Sequence, residues 1–189
     1  MLNRAYIVHG YQAAPQHHWF PWLSGKLAEH NIATHCIALP ESHHPDFHRW
    51  QQTLADTIAT ANQHTLLIAH SLGCITLLHY LSAQRPQRLG GLLLASGFDE
   101  RLPRLPELDD YIGQARIDHT AIRAATPHIY HFISDNDSIV PPALSHKLAD
   151  TLGGHTDIIP QGGHLLGSDG FTELPPAWQA VQNILAAPL

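Results

Sequence analysis

Leu66-Leu67-Ile68-Ala69-His70-Ser71-Leu72-Gly73-Cys74 is an apolar run that ends on a serine, with a small residue two places before it and another two places after it. A short continuous apolar run suits a strand buried on both faces, and from Ser71 to Ala83 the apolar residues recur at helical spacing, so the serine falls where a strand turns into a helix. This is the layout of a nucleophile elbow. The turn is sharp, and a larger side chain at position 69 or 73 would collide with the neighbouring backbone as the helix starts. Ala69 departs from the commoner glycine. The competing reading is that Ser71 merely caps the helix, since serine is a preferred N-cap. His70 diverges from its neighbour on a tight turn and reads as structural. Cys74, inside the helix, reads as a small buried hydrophobe rather than a nucleophile.

Outward from this turn, short β-type runs alternate with longer helical stretches, the pattern of a mostly parallel sheet covered on both faces. The strand candidates are 5–8, 34–39, 65–69, 91–95, 128–133 and 155–159; the helix candidates are 19–29, 47–61, 71–83, 143–152 and 176–186. The expected fold is a three-layer α/β/α sandwich with about six strands, occupying residues 1–189 as one domain. Active groups then belong at the carboxyl ends of the strands. Residues 97–126, with Arg101-Leu102-Pro103-Arg104-Leu105-Pro106 and two weak helical patches, break the alternation and read either as a lid over the strand ends or as a plain surface connection.

Composition narrows the function classes. The chain has 44% hydrophobic residues, a net charge of −6 and only ten Lys plus Arg, which argues against nucleic acid as a partner because such binding rests on clustered basic side chains. Two cysteines, Cys36 and Cys74, make neither a disulfide framework nor a Cys-rich zinc site and suit a reducing cytoplasm. No signal-peptide pattern opens the chain, and no apolar stretch approaches the roughly 18 residues of a membrane span. Seventeen histidines raise the question of metal. The adjacent pairs His17-His18 and His43-His44 point to opposite faces if extended, and neither H-E-x-x-H nor Cys/His spacing is present, so no metal and no cofactor are expected.

An activated serine needs a base and a carboxylate that orients the base, and hydrolases built on such a turn supply them in the order Ser, Asp or Glu, His. After the strand at 128–133 comes Ser134-Asp135-Asn136-Asp137-Ser138-Ile139-Val140-Pro141. Asp137 is preferred over Asp135, because Val140-Pro141 should start the next helix and Asp137 then sits at the loop crest, while Asp135 reads as a turn former. After the last strand, Gln161-Gly162-Gly163-His164 places a histidine on a loop that its glycines allow to bend towards the serine. The oxyanion of a tetrahedral intermediate needs two backbone donors. Leu72 follows the serine and is one; the loop Val8-His9-Gly10-Tyr11-Gln12 offers the other, Tyr11 first and Gln12 next.

With these residues in place the chain resembles the small α/β-hydrolase family of retinoblastoma-binding protein 9 and the bacterial YdeN-like serine hydrolases. The resemblance runs nearly end to end, through His9-Gly10-Tyr11, His18-Trp19-Phe20-Pro21-Trp22-Leu23, Ala69-His70-Ser71-Leu72-Gly73-Cys74, Ser96-Gly97-Phe98, Asp137-Ser138-Ile139-Val140-Pro141 and Gly162-Gly163-His164. It implies a minimal α/β-hydrolase fold and a triad of Ser71, Asp137 and His164, and alanine at position 69 fits its pattern. Binding to retinoblastoma protein is not implied, since Leu72-Gly73-Cys74-Ile75-Thr76 lacks the glutamate of a Leu-x-Cys-x-Glu motif and lies in a core helix.

The resulting expectation is a cofactor-independent serine hydrolase of a small carboxylic ester or amide, working through an acyl-serine, with Trp19 and Phe98 (and with them Phe20 and Trp22) as candidate walls of an acyl pocket. Aromatic residues of this kind are also ordinary core residues. Two other readings are a non-catalytic binding or regulatory protein on a hydrolase scaffold and an acyltransferase that uses an acceptor other than water. Protein partners are not indicated.

Overall fold

A computed structural model describes residues 1–187. Six strands, β1 (Arg4–Val8), β2 (Ala33–Ile37), β3 (Thr65–His70), β4 (Gly91–Ala95), β5 (Ile129–Ser134) and β6 (His155–Ile159), form one sheet in the order β2-β1-β3-β4-β5-β6, with every pair parallel. The expected sandwich is observed, with strand boundaries within two residues of those read from the sequence. β3 is buried at all six positions, which is why its sequence is continuously apolar rather than alternating.

Successive residues of the central strands feed two cores. Val8, Leu67, Ala69, Leu92 and Leu94 pack under the helices α2 (Phe47–Ile58), α3 (Leu72–Gln84) and α6 (Pro142–Leu152). Ile7, Leu66, Ile68, Leu93 and Phe132 face α1 (Phe20–Glu29) and α7 (Pro175–Ala186). α3 carries apolar residues around its whole circumference because sheet, α2 and the 97–126 segment enclose it. α2 is amphipathic and starts on Asp46, whose carboxylate accepts the Arg49 N–H at 2.8 Å. α6 begins at Pro142, one residue before the 143–152 read from the sequence and just after Pro141, which is its N-cap.

The two weak helical patches of the 97–126 segment are α4 (Asp109–Gln114) and α5 (His119–Ala125). Leu102, Leu108, Tyr111, Ile112 and Ile122 are buried against the core of α2 and α3. The Tyr111 hydroxyl pairs with that of Thr76 on α3 at 2.8 Å, and His119 Nε2 lies 2.7 Å from the Asp99 carboxylate. The His119–Asp99 contact ties the segment to itself, while the Arg116 and Asp118 N–H groups donate to His79 Nδ1 and Ser82 Oγ of α3 at 2.9 and 2.8 Å, so the segment is fastened to α3 from Tyr111 onward. Among the described residues no helix is long and apolar enough to cross a membrane.

Candidate active site

The strand order reverses beside β1, and ligands of open parallel sheets bind outside the carboxyl ends of the strands at such a point. Ser71 follows β3, Asp137 follows β5 and His164 follows β6, and the three side chains meet there. Ser71 Oγ lies 2.8 Å from His164 Nε2, and His164 Nδ1 lies 2.7 Å from Asp137 Oδ2. An ionised carboxylate only accepts, so Nδ1 carries the proton and Nε2 is free to accept from the serine hydroxyl. All three residues are buried, between 6% and 7% exposed.

Ser71 has φ +55° and ψ −127°, a strained conformation for a residue with a Cβ. Its hydroxyl makes no capping bond to α3, which removes the N-cap reading; its own N–H is spent on the Ala95 carbonyl at 3.0 Å. The strain is possible because Gly73 lets β1 pass close by: a Cβ there would stand 2.4 Å from the Val8 carbonyl oxygen and 2.6 Å from that of His9. Gln12, His18, Ser96, Gln161 and Leu165, in loops that follow β1, β4 and β6, also have positive φ, as do Asn31, Glu41, Ala59 and Arg85 elsewhere in the chain.

Asp137 is held by two backbone donors, the N–H groups of Ile139 and Val140, both at 2.9 Å from Oδ1, which leaves Oδ2 for the histidine. Asp135 is exposed, and its carboxylate accepts the Gln161 N–H at 2.7 Å, tying the two loops together. Asn136 Oδ1 accepts the Gly163 N–H at 2.8 Å. Asp169 accepts the N–H of His164 at 2.8 Å and that of Leu166 at 3.1 Å. Gly163, at φ +56°, packs so closely on this carboxyl group that a Cβ would come within 2.6 Å of it. Asn136 and Asp169 were not singled out from the sequence, because in a turn-rich loop they carry the signature of any turn former.

His70 Nε2 lies 2.9 Å from the His164 carbonyl oxygen, and burial pushes its pKa well below the ordinary histidine value. Cys74 is fully buried and its thiol is pushed up by desolvation, consistent with an inert side chain.

The N–H groups of Leu72 and Tyr11 donate to no acceptor among the described residues, whereas that of Gln12 is bonded to the Ser42 carbonyl at 2.8 Å. Gly10 brings the Tyr11 loop against the elbow: a Cβ on it would lie 2.9 Å from Ser71 Cβ and 3.2 Å from the Leu72 nitrogen. Trp19 and Phe98 are corrected to core residues. Each is 0% exposed, Trp19 under α1 and Phe98 under α3, because both rings are large enough to be drawn into the two cores that flank the sheet. Phe20 is buried in the same way.

A parallel sheet in this strand order, with a strained serine on the strand-to-helix turn and histidine and aspartate on later loops, defines an α/β hydrolase. The chain belongs to the serine hydrolase family, whose sequence model matches residues 5–183. It is 37% identical to the YdeN protein of Bacillus subtilis (strain 168) over 184 residues, 97% of this chain and 96% of that one. The crystal structure of YdeN superposes with a TM-score of 0.93 at 34% identity, covering 98% of this chain and 100% of that chain. A YdeN-like protein of Pectobacterium atrosepticum has a TM-score of 0.70 at 19% identity, over 96% and 89% of the two chains, and Est1E of Butyrivibrio proteoclasticus 0.73 at 14%, over 98% and 89%; these two share the fold.

Proposed function

We propose that this hydrolase cleaves a small carboxylic ester or amide through an acyl-serine intermediate, with Ser71 as nucleophile, His164 as general base and then general acid, and Asp137 as the group that fixes the histidine tautomer. The observation that carries the reading is the continuous chain Ser71 Oγ, His164 Nε2, His164 Nδ1, Asp137 Oδ2, with links of 2.8 and 2.7 Å. Ser71 Oγ attacks the carbonyl carbon as its proton passes to His164 Nε2. The resulting oxyanion accepts from the free N–H groups of Leu72 and Tyr11, at the amino end of α3, where the helix dipole also favours negative charge. The leaving alcohol or amine takes the proton from His164. Water, deprotonated by the same nitrogen, then releases the carboxylic acid and restores the serine.

The part of the substrate that does not react would extend past the Tyr11 loop. A cleft of about 400 Å³ is lined by Tyr11 from the loop after β1, Phe47 at the start of α2 and Tyr111 from the 97–126 segment, together with the carboxylates of Asp46, Glu107 and Asp110. Its size falls within the range of small-molecule sites.

Labelling of the purified chain with a fluorophosphonate probe tests the reading. Wild type should label and Ser71→Ala should not, with His164→Ala strongly slowed; turnover of a panel of esters and amides by the unlabelled protein then identifies the preferred bond. A folded wild type that does not label overturns the proposal.

A further inference from the structure

His70 precedes the candidate nucleophile in the chain and is 1% exposed. Its Nε2 lies 2.9 Å from the backbone oxygen of His164, and the two imidazole centroids are 4.9 Å apart at 50°. A carbonyl only accepts, so the His70 proton sits on Nε2. The rings of Trp19, Phe20 and His18 surround it at 6.3, 6.0 and 5.5 Å, and this desolvated box keeps the imidazole neutral. A neutral imidazole has one N–H, so Nδ1 is bare, and it has no partner among the described residues. Burying an unpaired polar nitrogen is unfavourable, and phenylalanine would fill the same aromatic box without it. The feature that phenylalanine cannot reproduce is the N–H donated to His164.

That bond is one of two that hold the histidine's main chain. The His164 N–H is taken by Asp169 at 2.8 Å, from within its own loop, whereas the His164 carbonyl is taken by the residue adjoining Ser71. The second bond therefore links the base to the nucleophile through a single intervening peptide. We propose that His70 is a positioning residue: its Nε2–H, held on the His164 carbonyl, sets the separation of Ser71 Oγ and His164 Nε2. This rests on the reading of those two residues as nucleophile and base.

The test compares fluorophosphonate labelling rates of the full-length wild type, His70→Gln and His70→Phe, with near-ultraviolet circular dichroism confirming packing. Glutamine offers an amide N–H to the same carbonyl and should label within about threefold of wild type, while phenylalanine should slow labelling by about tenfold to a hundredfold. The low-field proton resonance of the His164–Asp137 bond should persist in the glutamine variant and shift or broaden in the phenylalanine variant. A packed His70→Phe protein that labels as fast as wild type, or a glutamine variant as slow as the phenylalanine one, overturns the proposal. Should His70→Phe fail to pack, the nitrogen spectrum of wild type decides: a proton on Nε2 alone supports the role, and a proton on Nδ1 overturns it. A wild type that does not label removes the hydrolase reading itself, and the nitrogen spectrum still reports the His70 bond separately.

Discussion

Asp137 Oδ2 stands 2.7 Å from His164 Nδ1 while its partner oxygen, Oδ1, accepts two backbone N–H groups at 2.9 Å. The carboxylate is thus oriented before the histidine uses it. Asparagine at 137 would present an amide N–H to Nδ1 or lose the backbone bonds, favouring the wrong imidazole tautomer. Asp137→Asn should slow fluorophosphonate labelling by about three to four orders of magnitude, the scale of the equivalent change in a serine protease. Asp135→Asn keeps an oxygen for the Gln161 N–H and should label within about threefold of wild type. Equal losses in both would refute the assignment of the orienting carboxylate.

Asp169 fastens the histidine loop through the N–H groups of His164 and Leu166. Removing both bonds at an exposed site should cost about 1–2 kcal/mol, lowering the thermal midpoint by roughly 2–8 °C. Asp169→Ala should show that drop together with slower labelling, and Asp169→Asn should recover most of both. Calorimetry and labelling on the same samples check it; an alanine variant unchanged in either respect would contradict it.

Gly73→Ala places a methyl group 2.4 Å from the Val8 carbonyl oxygen, and a backbone carbonyl within a sheet has little room to give. The elbow or β1 must shift. Overpacking of this kind costs about 1–3 kcal/mol, so the midpoint should fall by several degrees and labelling should decline with it. A variant as stable and as reactive as wild type would show that the close approach is not needed.

Burial, as the main cause, holds His70 well below the ordinary histidine pKa and brings His18 down to about 4; His9 and His131 are lowered for the same reason. Unfolded, each takes up a proton near pH 6.5. Between about pH 4 and 6.5 the unfolded chain therefore binds more protons than the folded one, so stability rises with pH across that window and is lost as pH falls through it. The thermal midpoint should be highest above pH 6.5 and decline steadily towards pH 4.5. His18→Asn, whose Oδ1 stands near the place of Nδ1 and keeps an acceptor for the Gly167 N–H now bonded there at 2.9 Å, should make the decline shallower. A level midpoint across this range would count against neutral buried histidines.

Much of the architecture could be read from local pattern. The run 65–70 is apolar at every position because β3 is central and covered on both faces, and α1, α2 and α6 each declare one apolar stripe. The order of serine, aspartate and histidine along the chain, each just after a strand, made Ser71, Asp137 and His164 legible as candidates, since a parallel sheet brings all such loops to one edge. Pairing of strands, the split of the helices into two layers and the place of the 97–126 segment depended on contacts between residues far apart in sequence.

The same distinction runs through the site. Local chemistry sufficed to place a small-residue elbow at 69–73 and flexible glycines before His164. It did not separate Trp19 and Phe98 from a pocket wall, because a large aromatic ring has the same local signature in a core as in a binding site. Nor did it reveal His70 and Asp169 as the two holders of the His164 main chain, because a hydrogen bond to a backbone group leaves no trace in the identity of the residue that receives it. Strand-to-helix turns are written in adjacent residues; the separation of 2.8 Å between Ser71 and His164, 93 positions apart, exists only once the sheet has closed the distance between them.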